Sequence, residues 1–201
     1  MDSRNLLIFT VYLIIVYYVL YQAYKALGNQ VVIDTDYSSL TQQLEEQEIK
    51  KLIDIKFKFQ DRYKLDELTK MMIIIKNTSE EDTIRVDWDE SSITDFDKVT
   101  GRVIRLATGM TNIPQSQAVS IIVPGRIIQE ELSDDKSILS PLFKPAKIKE
   151  ASVKNNPFYL RLFLTISNPT GAKRSYTLRC KFIPKPLHFA KALSLELKPK
   201  K

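Results

Sequence analysis

The sequence predicts a mainly β domain, an antiparallel sandwich preceded by one N-terminal transmembrane helix and a short linker helix. Three observations carry this expectation. A charge-free apolar run sits at the start of the chain. Strict alternation of apolar and polar residues begins at Ile53. Clusters of Asn, Ser, Pro and Gly then recur between alternating segments.

The anchor comes first, within residues 1–28. Leu6 to Tyr24 reads LLIFTVYLIIVYYVLYQAY, with no charge. As a helix this run is roughly 28 Å long, close to one hydrocarbon core. Arg4 and Lys25 flank it, placed to reach opposite interfaces. Tyr17, Tyr18, Tyr21 and Tyr24 crowd its C-terminal end. Amphipathic rings favour headgroup level, so an aromatic belt is the plain reading. Tyr17, Tyr21 and Tyr24 also share a helical stripe, which makes them the candidate contact with a membrane-protein partner. A cleaved signal peptide is the rival, with Ala26-Leu27-Gly28 as a passable site. Against it stand the long apolar run, the scant basic residues before it and Lys25 beside the site. The short N-terminal tail sets the expected topology: N-terminus inside, domain on the non-cytoplasmic side.

Residues 29–51 read as a linker. Val31-Val32-Ile33 can open a short strand. The stretch SLTQQLEEQEIKKLI has helical character, with Ser39 as N-cap and Gln42 completing a capping box. Glu45 and Glu46 precede Lys50 and Lys51, the favourable order along a helix. Its apolar face is too thin for a coiled coil.

Residues 52–187 carry the β pattern. Ile53, Ile55, Phe57 and Phe59 alternate with Asp54, Lys56 and Lys58. Met71 to Lys76, Ile84 to Trp88, Arg102 to Leu106, Ala118 to Val123, Phe158 to Ser167 and Tyr176 to Ile183 complete about seven strands. Pro124-Gly125 and Asn168-Pro169-Thr170-Gly171 are turn signals, and Pro184 and Pro186 are expected to close the last strand. MMIIIKNTSEEDTIRVDW and RLFLTISNPTGAKRSYTLRC echo one another as two hairpins of one design. Seven short strands at this spacing suggest an immunoglobulin-like sandwich in architecture, with Trp88 packed between its sheets. Residues 188–201 form a C-terminal segment with a basic tail.

One resemblance accompanies these strands. The stretch IKNTSEEDTIRVDWDESSITDFDKVTGRVIR, roughly Ile73 to Arg105, resembles a segment of bacterial, cyanobacterial-type, membrane-anchored immunoglobulin-like β-sandwich proteins. An Asn-bearing turn leads into a Trp-Asp strand, and a polar loop rejoins at Arg-Val-Ile. The resemblance implies a fold and no catalytic motif.

Chemistry is sparse. His188 is the one histidine and has no neighbouring Cys or His to complete a zinc site. Asp87, Asp89, Asp95 and Asp97 are the candidates for calcium. The EF-hand register fails, because Ser92 stands where Gly is needed and Lys98 where a bidentate Glu is needed. The five glycines form no phosphate loop, and no cofactor is expected. Cys180 lies in an apolar stretch and reads as a buried, inert thiol. Asn77-Thr78-Ser79 matches a glycosylation acceptor, meaningful only in a secretory eukaryotic setting.

The whole chain has 201 residues, of which 44% are hydrophobic, enough for one domain with a true core. Mean hydropathy is −0.18, which excludes a multi-pass membrane protein. Net charge is +6, from Lys+Arg 30 against Asp+Glu 24, and the cations are dispersed. A solvated surface explains them and no nucleic-acid partner is expected. The expectation is thus a non-enzymatic, single-pass interaction or assembly module. It meets lipid through its helix and a membrane-protein partner through Tyr17, Tyr21, Tyr24 or Trp88. The alternative is a ligand- or calcium-binding domain using the Asp87–Asp97 loop.

Overall fold

The structure is a computed structural model and describes residues 3–27, 29–107, 115–136 and 140–187. Helix α1 (Ser3–Leu27) is followed by β1 (Gln30–Thr35) and α2 (Tyr37–Glu46). Next come β2 (Ile53–Lys58), β3 (Tyr63–Lys64), β4 (Met71–Asn77), β5 (Thr83–Thr94), β6 (Thr100–Leu106), β7 (Ser120–Ile122) and β8 (Ile127–Asp134). The chain closes with α3 (Pro145–Lys154), β9 (Phe158–Ser167) and β10 (Lys173–Pro186).

Every strand pairing is antiparallel. The strands follow one path, β2-β4-β8-β6-β5-β9-β10-β1-β3, with β7 added on β5. This sheet curls into a half-barrel. The corner lies in β6. Its Arg102 pairs with Ser92 of β5, while the next residue, Val103, pairs with Asp134 of β8. One step along the backbone therefore hands the ladder from one half of the sheet to the other.

The core fills the concave side. Alternation puts Ile53, Ile55 and Phe57 of β2 inward, and likewise Ile73 and Ile75 of β4. From the other half come Ile84, Val86 and Trp88 of β5 with Leu160, Leu162 and Leu164 of β9, all fully buried. A run of rings joins the halves. Phe57 meets Phe182 edge-on at 4.8 Å, Phe182 stacks on Phe158 at 5.0 Å, and Phe158 meets Phe143 at 4.8 Å. Such pairs add about 0.5–1.5 kcal/mol each beyond burial. Cys180 is buried in this core and its thiol is pushed up to about 12 by desolvation, as expected of an inert sulfur.

Several expectations are corrected. The segment read as a linker belongs to the domain: β1 pairs with β10 along Val31↔Pro186 to Thr35↔Phe182, and Val31 is core. Helix α2 starts earlier and stops sooner than its pattern suggests. Asp36, not Ser39, is the N-cap, its carboxylate accepting the Ser39 N–H at 3.1 Å. The helix ends at Glu46 because Glu48 turns left-handed (φ 60°), which drives Ile49 into the core. The polar-rich β8, the two-residue β3 and α3, with Pro145 in its first turn, lack a clear periodic signal.

The two echoing segments also differ. β9 and β10 form a hairpin, but β4 and β5 do not pair. Asn77 explains the difference. It is fully buried, and its side-chain nitrogen donates to Ile122 O at 2.8 Å and Asp82 O at 2.7 Å. Its Oδ1 accepts from the Ser79 N–H and hydroxyl. Asn77 thus ties β4 to β7 and steers the chain across the core, and it is no glycosylation acceptor in this fold. Asn168 only closes its own exposed turn, taking the Ala172 N–H at 2.9 Å. Pro184 and Pro186 do not end β10, because their nitrogens face the side where β9 has already stopped at Phe158.

This contrast is testable by chemical denaturation. Asn77→Ala strands several buried partners and should lower unfolding free energy by about 2–4 kcal/mol. Asn168→Ala should cost less than about 1 kcal/mol. Equal losses would mean that Asn77 has no special role in the crossing.

Candidate functional site

A curled sheet leaves a seam. Here it runs between the free edge of β2 and the part of β10 that β1 does not cover. Helix α2 lies in this seam, and its side chains stand in for a missing strand. Gln43 presents its amide to β10, donating Nε2 to Arg179 O at 3.0 Å and accepting the Arg179 N–H at 2.8 Å. Gln47, one turn on, donates to Thr177 O at 3.3 Å. At the helix start, the Asp36 N–H donates to Lys181 O at 2.9 Å, and Lys181 Nζ reaches the Asp36 carboxylate at 3.1 Å. Hydrogen bonds from the Ser38 hydroxyl and the Ser39 N–H, with one from Lys181, hold the Asp36 carboxyl down to about 2.

The β2 side is sealed less completely. The Tyr37 hydroxyl takes both edge groups of Phe57, accepting its N–H at 3.0 Å and donating to its C=O at 3.2 Å. The Ile53 N–H donates to Ile49 O at 3.3 Å. These bonds fix the parity of the strand. Ile53, Ile55 and Phe57 turn their backbone groups away from β4, while Asp54, Lys56 and Lys58 turn theirs toward it. Ile55 sits between the two seals. Among the described residues, no protein group bonds its N–H or C=O on that side.

The opening beside Ile55 is a groove of about 740 Å³ between α2 and β2. Its walls are Tyr37, Leu40 and Leu44 from the helix and Ile53, Ile55 and Phe57 from the strand. Lys50, Lys56, Lys58 and Asp54 stand around it, Lys50 paired with Glu45 and Lys56 with Asp54 at 2.8 Å. An apolar slot with an open backbone donor and acceptor can hold an extended chain.

The residues singled out from sequence lie elsewhere. Trp88 is fully buried and donates Nε1 to Ser120 Oγ at 2.9 Å, so it is a core residue and no contact surface for a partner. The acidic residues are dispersed among separate tasks. Asp87 accepts the N–H groups of Asp89 and Glu90 within β5. Asp89 accepts from Gln117 and Ser116, and the Gln117 N–H foremost holds its carboxyl below the usual range. Asp95 closes the β5–β6 turn by accepting from Asp97 and Val99, and Asp97 pairs with Lys147. Among the described residues no three His, Cys, Asp or Glu side chains converge to hold a metal ion. Tyr17 and Tyr21 are exposed on α1 with ring centroids 6.3 Å apart. The Tyr24 side chain, His188 and the C-terminal tail lie outside the described residues.

What sequence reading missed is the seam itself: Asp36, Tyr37, Gln43, Gln47 and the open edge at Ile55. The one signal for it is the i, i+4 spacing of Gln43 and Gln47 beside an apolar helix face. Two measurements check this geometry. In amide exchange, Ile55 should exchange ahead of Asp54 and Lys56, whose N–H groups bond β4. Tyr37→Phe should free the Phe57 amide as well and cost about 1–2 kcal/mol. Asp36 adds a pH dependence. Its folded-state carboxyl lies below its ordinary value, so its contribution is complete above about pH 4 and is lost as pH falls through about 2. Asp36→Asn should flatten the acid limb of thermal stability in that window; an unchanged limb would remove Asp36 from the account.

No protein-family model matches this sequence, and no curated protein matches it. Among solved structures, the chain is similar to a Bordetella pertussis protein given the provisional name ApaA protein. The two are 11% identical with a TM-score of 0.32, over 79% of this chain and 92% of the other.

Proposed function

We propose that this chain is a membrane-tethered interaction module without catalytic activity. The observation that carries the reading is α1. Its span Asn5–Ala23 has a mean hydropathy of 2.0, and none of it is buried against the domain. A helix that apolar and that bare needs lipid around it. The same properties suit a signal sequence, so retention of α1 is part of the proposal. The N-terminus lies inside and the domain on the non-cytoplasmic side. The bacterial membrane-anchored proteins that the Ile73–Arg105 segment resembles fit this arrangement. An immunoglobulin-like sandwich is the finer form of the fold proposed here, with the β6 corner dividing two facing halves.

The tether serves binding. It confines the domain to a thin layer and raises its effective concentration toward other membrane proteins. Tyr17 and Tyr21 mark the helix end that meets the headgroups, and the α2–β2 groove supplies a contact surface in the domain. No observation favours calcium, because Asp87, Asp89, Asp95 and Asp97 each already serve a neighbour.

Alkaline carbonate extraction of membranes, followed by intact-mass measurement of the retained protein, tests this. We expect the full-length chain to stay in the pellet. Release into the supernatant, or a mass lacking the first 28 residues, would overturn the tether. On intact cells or vesicles, protease should reach the domain only from the non-cytoplasmic side.

A further inference from the structure

We infer that the α2–β2 groove takes an extended peptide segment of a partner protein, which adds to the sheet as an antiparallel strand on β2. The inference names the ligand class of the groove and takes the tethered module as its setting.

The argument starts from hydrogen-bond accounting. Buried backbone groups are almost always paired, and a lost partner costs about 1–3 kcal/mol. Elsewhere along the seam most edge groups are answered, by Tyr37 at both groups of Phe57, Ile49 at the Ile53 N–H, Gln43 at both groups of Arg179 and Gln47 at the Thr177 C=O. Ile55 is only 4% exposed, yet its N–H and C=O face the groove without a protein partner. The Ile53 C=O points the same way. One donor and two acceptors in a row, spaced as on a strand edge, are the complement of another strand's backbone.

The walls fix what that strand must carry. In an antiparallel addition, residues opposite Ile53, Ile55 and Phe57 point their side chains to the same inner face. There they meet Leu40 and Leu44 of α2, so alternate residues must be apolar. The groove, about 740 Å³, lies within the range of ordinary ligand sites, about 300–1,000 Å³. The seals at Tyr37 and Ile49 limit the contact to a few residues. Lys50 pairs with Glu45 and Lys56 with Asp54, which leaves Lys58 to give the rim a slight positive balance and favours an acidic residue flanking the apolar ones.

The test uses the full chain in neutral detergent micelles and the fluorescein-labelled peptide Glu-Val-Thr-Val-Thr-Val-Glu. We expect saturable binding by anisotropy. The central valine lies opposite Ile55, whose N–H and C=O are both open, so its N-methylation should weaken binding at least about tenfold. N-methylation of either threonine, whose N–H faces away, should leave it unchanged. Thr41→Trp, which fills the groove from α2, should abolish binding while keeping the melting temperature. Where that variant fails to fold, the Ile55 amide decides: the peptide must slow its exchange. Absence of saturable binding, equal loss from both methylations, full affinity in folded Thr41→Trp, or an Ile55 amide unaffected by peptide each overturn the inference. Because binding is read in micelles, it can fail while membrane retention holds, and retention can fail while binding holds.

Discussion

The interaction on which this fold depends is the hydrogen bond to an edge. An antiparallel sheet that curls without closing exposes N–H and C=O groups along two strands, and buried edge groups without partners are costly. This chain answers most of them with side chains. The Gln43 amide mimics a strand residue toward Arg179, donating and accepting at once. Gln117 does the same for β6, donating to Val103 O at 2.6 Å and accepting the Arg105 N–H at 2.7 Å. Tyr37 achieves it with one hydroxyl. A primary amide carries the donor and acceptor of a peptide group on a flexible stem, so a helix or loop can cap a strand it could never pair with.

The second amide shows how the corner is held. Where β6 leaves β5 for β8, the segment around Gln117 and Ser120 fills the split. Ser120 Oγ accepts from Trp88 Nε1 and from Arg105 Nη1 at 3.0 Å, and Arg105 reaches Glu130 at 3.2 Å. A polar network beside the largest core side chain has to be fully bonded to be tolerated. Its members come from β5, β6, β7 and β8. It therefore fixes the relative placement of the two halves, a task that non-directional apolar burial performs poorly.

These features explain what was legible in the sequence. Phe158 to Ser167 coincides with β9 because one face of that strand is buried along its length, which writes period two plainly. β2 is legible for the same reason, and β4 because its run MMIIIK is apolar on both faces and stops at a turn cluster. β8 was not, because Gln129, Glu130 and Glu131 interrupt its pattern; Glu130 serves the polar corner and Glu131 pairs with Lys70. Trp88 lies in the core, as its alternating strand implies, and not on a partner surface, the other role offered for it. The acidic run was a poor guide, since proximity in sequence along a bulged strand and a turn scatters the side chains in space. The seam left almost no trace, because edge capping depends on which strands end up adjacent. That is a property of topology and not of any local window.

The short join between α1 and the sheet bears on where the groove can sit. Only Gly28 and Asn29 separate α1 from β1, and Asn29 is held by Lys149 Nζ at 3.2 Å and by the Leu65 N–H. Consecutive Cα atoms are 3.8 Å apart, so Tyr37, ten residues beyond Leu27, lies within about 38 Å of the helix end. With α1 in lipid, as proposed, a two-residue join keeps the groove within that layer. A partner strand then has to come from a segment close to the same bilayer. Short linkage, a bare apolar helix and a largely sealed edge that is open at Ile55 and the Ile53 C=O point the same way: the proposed binding would be selected by proximity as much as by intrinsic affinity.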